Sequence, residues 1–140
     1  MAKTSPENPA ALEQLYGDVN GGLAARLGIE FLEADGDRAV ARMPVEGNTQ
    51  PYGLLHGGAS CALAETVGST AAALFAGPDK IVVGIEINAS HHRAVTSGHV
   101  TAVATRVHGG RTLAAYEIEI TDDQGRRVCT SRLTCLIRDK

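Results

Sequence analysis

The sequence has 140 residues, of which 44% are hydrophobic and 21% are charged, as expected for one compact domain with a single core. Thirteen Lys and Arg residues against 16 Asp and Glu residues give a net charge of -3, which argues against a basic surface for nucleic acid or an anionic membrane. With no Trp, two Phe and three Tyr, the chain also lacks the aromatic platforms that bind single-stranded nucleic acid.

The first nine residues are polar and include two prolines, unlike a secretory signal, so we expect a cytoplasmic protein. Three cysteines without CxxC spacing indicate reduced thiols packed as small apolar residues. His91 and His92 are adjacent in a strand and should face opposite ways, while His99 and His108 are nine residues apart. We therefore expect no metal site.

The chain divides into an N-terminal helical segment, 1–27, and a main domain, 28–140. In the first segment, glycines interrupt the helical spacing of 10–27, which indicates short helical pieces. In the main domain we expect a hairpin at 29–33 and 38–45, a loop at 47–55, and further strands at 80–88, 99–107, 112–121 and 128–138. Short, turn-rich connections predict that consecutive strands are antiparallel neighbours.

Residues 57–76 are rich in Ala and Leu, contain no Pro, and are followed by Gly77-Pro78, which predicts a helix of 20 residues. The length approaches that of a membrane span, but Glu65 lies mid-run and no basic anchors flank it. A buried helix of a globular domain is the better interpretation. The sequence therefore predicts an α+β fold, in which an antiparallel sheet of about five or six strands curls around one long central helix.

Small residues form one face of this helix, on which Cys61, Glu65 and Ser69 recur every four residues. The opposite stripe, which we expect to pack on the sheet, contains Leu63, Val67, Thr70 and Leu74. An ionised carboxylate on a covered helix is costly unless it is paired, and no Lys or Arg lies within four residues of Glu65. Glu65 is thus a candidate base or nucleophile; alternatively, it pairs with a sheet Arg or protrudes into solvent.

Gly57-Gly58 lies at the amino end of the helix, where unpaired N–H groups favour negative charge and glycine admits a ligand close to the backbone. A carbonyl held at Gly57 and attacked by Glu65, or by water that Glu65 deprotonates, is the chemistry of acyl transfer. His56, just before the glycines, could donate a hydrogen bond to the substrate or could simply stabilise the turn. Gly57-Gly58 could likewise be no more than a tight turn.

The segment QPYGLLHGGAS at 50–60, followed by Leu63-Ala64-Glu65, resembles the hotdog-fold acyl-CoA thioesterases of the PaaI and Arthrobacter-type 4-hydroxybenzoyl-CoA group. Within that group it is most similar to the 1,4-dihydroxy-2-naphthoyl-CoA thioesterases and the enterobactin proofreading thioesterases. The similarity runs from about Gly28 to the C-terminus and includes VGIEINA at 83–89 and DQGR at 123–126. The HGG triplet with an acid seven residues after its second glycine is specific for the family, and less so for the substrate.

The resemblance implies a hotdog fold and a homodimer whose sheets join edge to edge, so that Glu65 lines a cleft between subunits. It also implies further pairing into a homotetramer. Glu65 would be the nucleophile or general base, and the Gly57 amide would polarise the thioester carbonyl. Gln50 and His56 would orient the carbonyl and the attacking water, and Ser69 would hold that water or the carboxylate.

For the CoA moiety, the positions that match the family's nucleotide contacts are His91 and Arg93 after the strand at 80–88, and His108, Gly109, Gly110 and Arg111 in the turn after 99–107. A basic side chain beside backbone N–H groups suits phosphate, although each residue could equally be an exposed turn residue without a ligand. The order HGGR in this turn departs from the Gly/Ser/Arg order of close relatives.

The sequence thus predicts a thioesterase that hydrolyses an acyl-CoA to the free acid and CoA without metal or redox cofactor. The resemblance alone implies an aromatic acyl group, such as 1,4-dihydroxy-2-naphthoyl or hydroxybenzoyl. Two alternatives remain: a non-catalytic acyl-CoA-binding hotdog protein, and a hotdog hydratase or dehydratase that uses His56 as its base.

Overall fold

The structure, a computed structural model, describes residues 22–140. The helical pieces predicted before residue 22 lie outside this range. Within it the elements follow in the order α1 (Leu23–Leu27), β1 (Glu30–Ala34), β2 (Arg38–Pro44), α2 (Gly57–Ala76), β3 (Lys80–His91), β4 (His99–Gly109), β5 (Leu113–Asp122) and β6 (Arg127–Asp139). The predicted α+β architecture is confirmed.

All six strands form one antiparallel sheet, in the order β1-β2-β4-β5-β6-β3. The prediction that consecutive strands are neighbours holds for β1–β2, β4–β5 and β5–β6 but is wrong for β3 and β4. Strand β3 pairs with β6, and β4 pairs with β2. Because the connection 92–98 has seven residues, it can span about 23 Å and crosses three strand spacings, about 14 Å. Strand β3 is consequently an edge strand.

Helix α2 packs against one face of the sheet, with the predicted apolar stripe towards it. Leu63 and Val67 are fully buried, and Thr70 and Leu74 are nearly so. The sheet contributes buried Tyr116, Ile118, Ile120 and Leu133. At Gly68 the helix comes so close to the sheet that an added Cβ would lie 2.7 Å from Leu133 Cδ2. The small residues of α2 therefore allow the close helix–sheet contact that forms the core.

The other face of α2 is only partly covered: Cys61, Glu65 and Ser69 are all half-buried. By length and composition α2 could cross a membrane, yet 56% of its apolar window is buried inside the fold. This burial is typical of the core helix of a globular domain.

Candidate active site

His56 caps the amino end of α2. Its backbone is extended, and its ring Nδ1 accepts a hydrogen bond of 2.8 Å from the backbone N–H of Gly58. A Cβ on Gly58 would lie 2.9 Å from that nitrogen, so the imidazole takes the space that a side chain at position 58 would fill. Because a neutral imidazole that accepts at Nδ1 carries its hydrogen on Nε2, the cap selects one tautomer and leaves Nε2–H as a donor.

A second imidazole lies against the first glycine of the pair. His91, the last residue of β3, comes so close that a Cβ on Gly57 would be 2.9 Å from His91 Nε2. The sequence predicts that His91 contacts CoA, and the structure places its ring beside the beginning of the long helix. Two histidines from different elements thus flank the Gly57-Gly58 turn.

The loop before α2 holds Gln50 close in sequence to this turn. A bridge between Thr49 and Leu55 closes the loop, and the Gln50 side-chain oxygen accepts a hydrogen bond from the backbone N–H of Tyr52. The loop is fixed to the rest of the fold by the His56 N–H, which donates to the Asn48 carbonyl over 2.9 Å. Gln50 retains its side-chain NH₂ as a donor.

Glu65 lies in the middle of α2 with its carboxylate over Gly84 of β3. A Cβ on Gly84 would be 2.6 Å from Glu65 Oε1. No ion pair within residues 22–140 involves Glu65, so the alternative in which it pairs with a sheet Arg is not what the described residues show. The structure therefore leaves a half-buried carboxylate without a cationic partner among these residues.

Ser69, one turn beyond Glu65, lies beside the Cys135 thiol of β6. Burial raises the pKa of the Cys135 thiol; the Ser69 hydroxyl opposes this effect, and the negative charge of Glu65 adds to it. Since Gly84 and Cys135 are paired across β3 and β6, the Glu65 carboxylate, the Ser69 hydroxyl and the Cys135 thiol share one part of the sheet. The Ser69 oxygen can still accept a hydrogen bond there.

The cysteines are free, as the sequence predicts. Cys129 and Cys135 are fully buried, and burial raises the pKa of the Cys129 thiol to about 11, with a smaller contribution from nearby Cys61. Such thiols are inert packing groups. Among residues 22–140, no group of three His, Cys, Asp or Glu side chains is arranged to hold a metal ion.

The second group of predicted CoA residues lies at the opposite end of α2. His108 and Gly109 are the last residues of β4 rather than part of a turn, because the strand continues two residues further than predicted. A Cβ on Gly109 would lie 2.6 Å from Cζ of Phe75, whose ring stacks under the Arg106 guanidinium at 4.4 Å. Gly109 is thus a packing position, while His108 and Arg111 are exposed.

Within one chain these predicted residues do not form a single site. Gly57 and Phe75 are 18 residues apart on α2, which corresponds to about 27 Å along the helix. His91 is beside Gly57, whereas Gly109 is beside Phe75. The two groups of predicted CoA residues are therefore at opposite ends of the fold.

Gly84 and Cys135 are the site residues that sequence reasoning missed. Gly84 interrupts the apolar run Ile81-Val82-Val83, and an isolated glycine in a strand indicates a bulge or a close approach. The structure has both, because the register shifts between Gly84 and Glu86 and the Glu65 carboxylate lies on Gly84. Cys135 carried no such signal.

Comparison with known proteins decides the family of this fold and site. The model of the thioesterase superfamily matches residues 52–129, which include α2, strands β3 to β5 and the beginning of β6. The chain belongs to the thioesterase superfamily. It is 51% identical over 127 residues to the proofreading thioesterase EntH of Cronobacter turicensis, covering 90% of this chain and 93% of that protein.

Solved structures of thioesterases have the same fold. The crystal structure of a mutant of thioesterase PA1618 from Pseudomonas aeruginosa superposes with a TM-score of 0.86 at 41% identity, covering 92% of this chain and 94% of that one. Thioesterase HI1161 from Haemophilus influenzae gives 0.86 at 40% identity, covering 96% and 91%. The predicted hotdog thioesterase fold and the assignment as a thioester hydrolase are confirmed.

Proposed function

We propose that this thioesterase hydrolyses acyl-CoA to the free acid and CoA, with Glu65 as the nucleophile or general base. The observation that carries the proposal is the half-buried Glu65 carboxylate, which lies on the small-residue face of α2 without an ion pair in residues 22–140. A carboxylate that is not neutralised by a cation keeps its charge available for a proton or for a carbonyl carbon.

The group proposed to polarise the carbonyl is the Gly57 amide at the amino end of α2. Within one chain, this amide is too far from the Glu65 carboxylate for both to act on the same carbonyl. Gly57 and Glu65 are eight residues apart, or about 12 Å along the helix. Groups that act on one carbonyl each lie about 3 Å from it. Glu65 instead reaches the edge strand at Gly84. A single chain therefore supplies the two halves of the chemistry at separate places.

A second copy of the chain brings the halves together. Strand β3 is a 12-residue edge without proline, and Ile81 and Ile85 on it are 46% and 56% exposed. Such an edge favours pairing with another strand. In a two-fold pair, β3 lies antiparallel to itself and the helices run in opposite directions. Gly57 of the partner subunit then approaches Glu65, and the two separated groups of CoA residues approach each other.

In this composite site the Gly57 N–H donates to the thioester oxygen, and Gln50 and the Nε2–H of His56 orient that carbonyl. Glu65 removes a proton from water, the water oxygen bonds to the carbonyl carbon, and the carbon–sulfur bond breaks to release CoA thiolate. In the nucleophilic variant, Glu65 itself bonds to the carbonyl carbon and the carbon–sulfur bond breaks to release CoA thiolate. Water then hydrolyses the mixed anhydride to the free acid and regenerates the Glu65 carboxylate. The Ser69 hydroxyl holds the water or the carboxylate.

His91, Arg93, His108 and Arg111 support binding of the CoA phosphates, since all four are exposed and basic or imidazole-bearing. Gly110 shapes the turn, because its N–H donates to the Leu113 carbonyl over 2.8 Å, and Gly109 contributes through packing. For the acyl group we propose an aromatic ring, supported by the small side chains of the Glu65 face and by the resemblance of residues 50–60 to thioesterases of aromatic acyl-CoAs. The free thiols are consistent with a cytoplasmic location, and association of two dimers into a homotetramer completes the proposed assembly.

The test is thiol release from a panel of aromatic and aliphatic acyl-CoAs, followed with a colorimetric thiol reagent at neutral pH. Glu65→Gln should lower kcat by about 10²-fold or more. The matched control is Glu117→Gln on β5, which is exposed and lies away from the β3 edge, and it should keep wild-type activity. An active Glu65→Gln variant would refute the role of Glu65, and a wild-type protein that binds CoA esters without thiol release would indicate the acyl-CoA-binding alternative.

Subunit mixing tests the composite site separately. Glu65→Gln and His56→Ala each spoil both sites of their own homodimer. In a mixed dimer one site contains both mutations and the other contains neither. Random mixing at equal amounts should restore about a quarter of the wild-type activity per chain, since half of the dimers are mixed. Activity that stays at the level of the separate variants would show that both residues serve one site within a single chain.

A further inference from the structure

The backbone conformation at position 84 does not require a glycine. Gly84 is not among the positive-φ glycines of the described chain, and it pairs with Cys135 immediately before the register shift in β3. Any residue could adopt this conformation, and glycine in a strand interior is less stable than alanine. The reason for glycine must therefore lie in what surrounds it.

The Glu65 carboxylate occupies the space where a side chain would be. A Cβ on Gly84 would lie 2.6 Å from Glu65 Oε1 and 3.5 Å from Glu65 Cδ, whereas the next neighbour, Leu133 Cδ1, is at an acceptable 3.4 Å. Only the acid would be displaced. The register also shifts immediately after this position, so the edge strand bends where the carboxylate lies.

We propose that Gly84 is a positioning residue for the reaction. Because glycine has no side chain, the Glu65 carboxylate can lie directly on the edge strand, in the position from which it acts on the thioester. The inference rests on the proposed function of Glu65. An alanine at position 84 would push the carboxylate away by about 1 Å, and a displacement of that size at reacting groups can cost about 10²-fold in rate.

Gly84→Ala should lower kcat by about 10- to 100-fold and leave KM for the acyl-CoA within about twofold, because CoA is bound elsewhere. Its melting temperature should be unchanged or higher, because alanine is favoured over glycine in a strand. This combination separates positioning from a structural role, which would lower both activity and stability. Gly22→Ala is the matched glycine control, because an added Cβ there would meet nothing within 4 Å and the φ of Gly22 is -107°. It should keep wild-type kcat, and light scattering should show the same assembly for all variants.

A double mutant tests the contact itself. Aspartate is one methylene shorter than glutamate and relieves the collision, so Glu65→Asp should cost less activity in the Gly84→Ala background than in the wild type. Multiplicative losses would overturn the proposal, as would wild-type kcat in Gly84→Ala. If Gly84→Ala is unstable, its melting temperature is compared with and without Glu65→Ala: recovery supports the contact, and equal loss overturns it. If Glu65→Gln is active, the proposed function of Glu65 is refuted. If Glu65→Gln is inactive while Gly84→Ala is fully active, only the inference about Gly84 is refuted.

Discussion

Substitutions of His56 should separate the roles of its two ring nitrogens, because Nδ1 caps α2 and Nε2–H remains as a donor. Nδ1 accepts the 2.8 Å hydrogen bond from Gly58 N–H. Asparagine places an oxygen near the position of Nδ1 and is a favoured N-cap, but it has no group at the position of Nε2. Glutamine places an NH₂ near Nε2 and loses the cap. His56→Asn and His56→Gln therefore remove different halves of the same side chain.

The magnitudes follow from the two interactions. Loss of an N-cap costs about 1 kcal/mol, and for a chain of this length that lowers the melting temperature by about 3 °C. Loss of one hydrogen-bond donor to the developing oxyanion costs about 10²- to 10³-fold in kcat. We expect His56→Asn to keep its melting temperature and lose most of its kcat, and His56→Gln to lose about 3 °C and less kcat. Thermal unfolding and thiol release measure the two effects. If His56→Asn is as unstable as His56→Gln, the cap has been assigned to the wrong nitrogen, and if it stays fully active, Nε2 is not a donor to the substrate.

Three further outcomes are expected. Arg93→Ala and Arg111→Ala should raise KM for CoA esters more than for short thioesters without the nucleotide, and equal effects would contradict phosphate binding. Tyr116→Phe should cost about 1 kcal/mol of stability in urea unfolding without changing kcat, because the buried hydroxyl donates 2.6 Å to the Gly36 carbonyl. Although burial alone would raise the pKa of Asp122, hydrogen bonds from Arg126 and the Gln124 backbone hold it below its usual value. The stabilisation of the folded state by the Asp122 carboxylate is therefore fully present above the ordinary pKa of Asp. It is lost as the pH falls through the lowered pKa of Asp122. In Asp122→Asn, the urea midpoint should not show this decrease at acidic pH, and urea unfolding at a series of pH values measures it.

Local patterns in the sequence predicted the elements well but not all of their partners. The boundaries of α2 were predicted because an Ala- and Leu-rich run ends at Gly77-Pro78. In the strand predicted at 112–121, Tyr116, Ile118 and Ile120 alternate with polar residues, and the structure buries all three in the core. The neighbours of β3 were predicted wrongly because the turn at 96–98 is only the end of a longer connection, and strand order depends on long-range packing that short-range signals do not report.

The same distinction applies to the candidate site. Cys61, Glu65 and Ser69 share a helix face by spacing alone, so the sequence could predict that group. The partners of this face come from β3 and β6, and they depend on a register that no local pattern specifies. For this reason the sequence could point to Glu65 but not to the Gly84 and Cys135 pair beneath it.

Three glycines explain how polar groups come to lie directly on the backbone of this fold. At each of them an added Cβ would meet a polar side chain at 2.6 to 2.9 Å, and the pairs are Gly57 with His91, Gly58 with His56, and Gly84 with Glu65. None of the three has a positive φ, so the glycines serve close approach rather than chain reversal. Since a glycine in a helix or strand costs stability relative to alanine, the fold gives up stability at each of them. The same kind of contact occurs at Gly109, where an added Cβ would meet Arg106 Nη1 at the other end of α2, so close approach alone does not mark a functional position. What joins the three glycines is the proposed chemistry of the groups that they admit, and the geometry of that site depends on absent side chains as much as on the proposed catalytic ones.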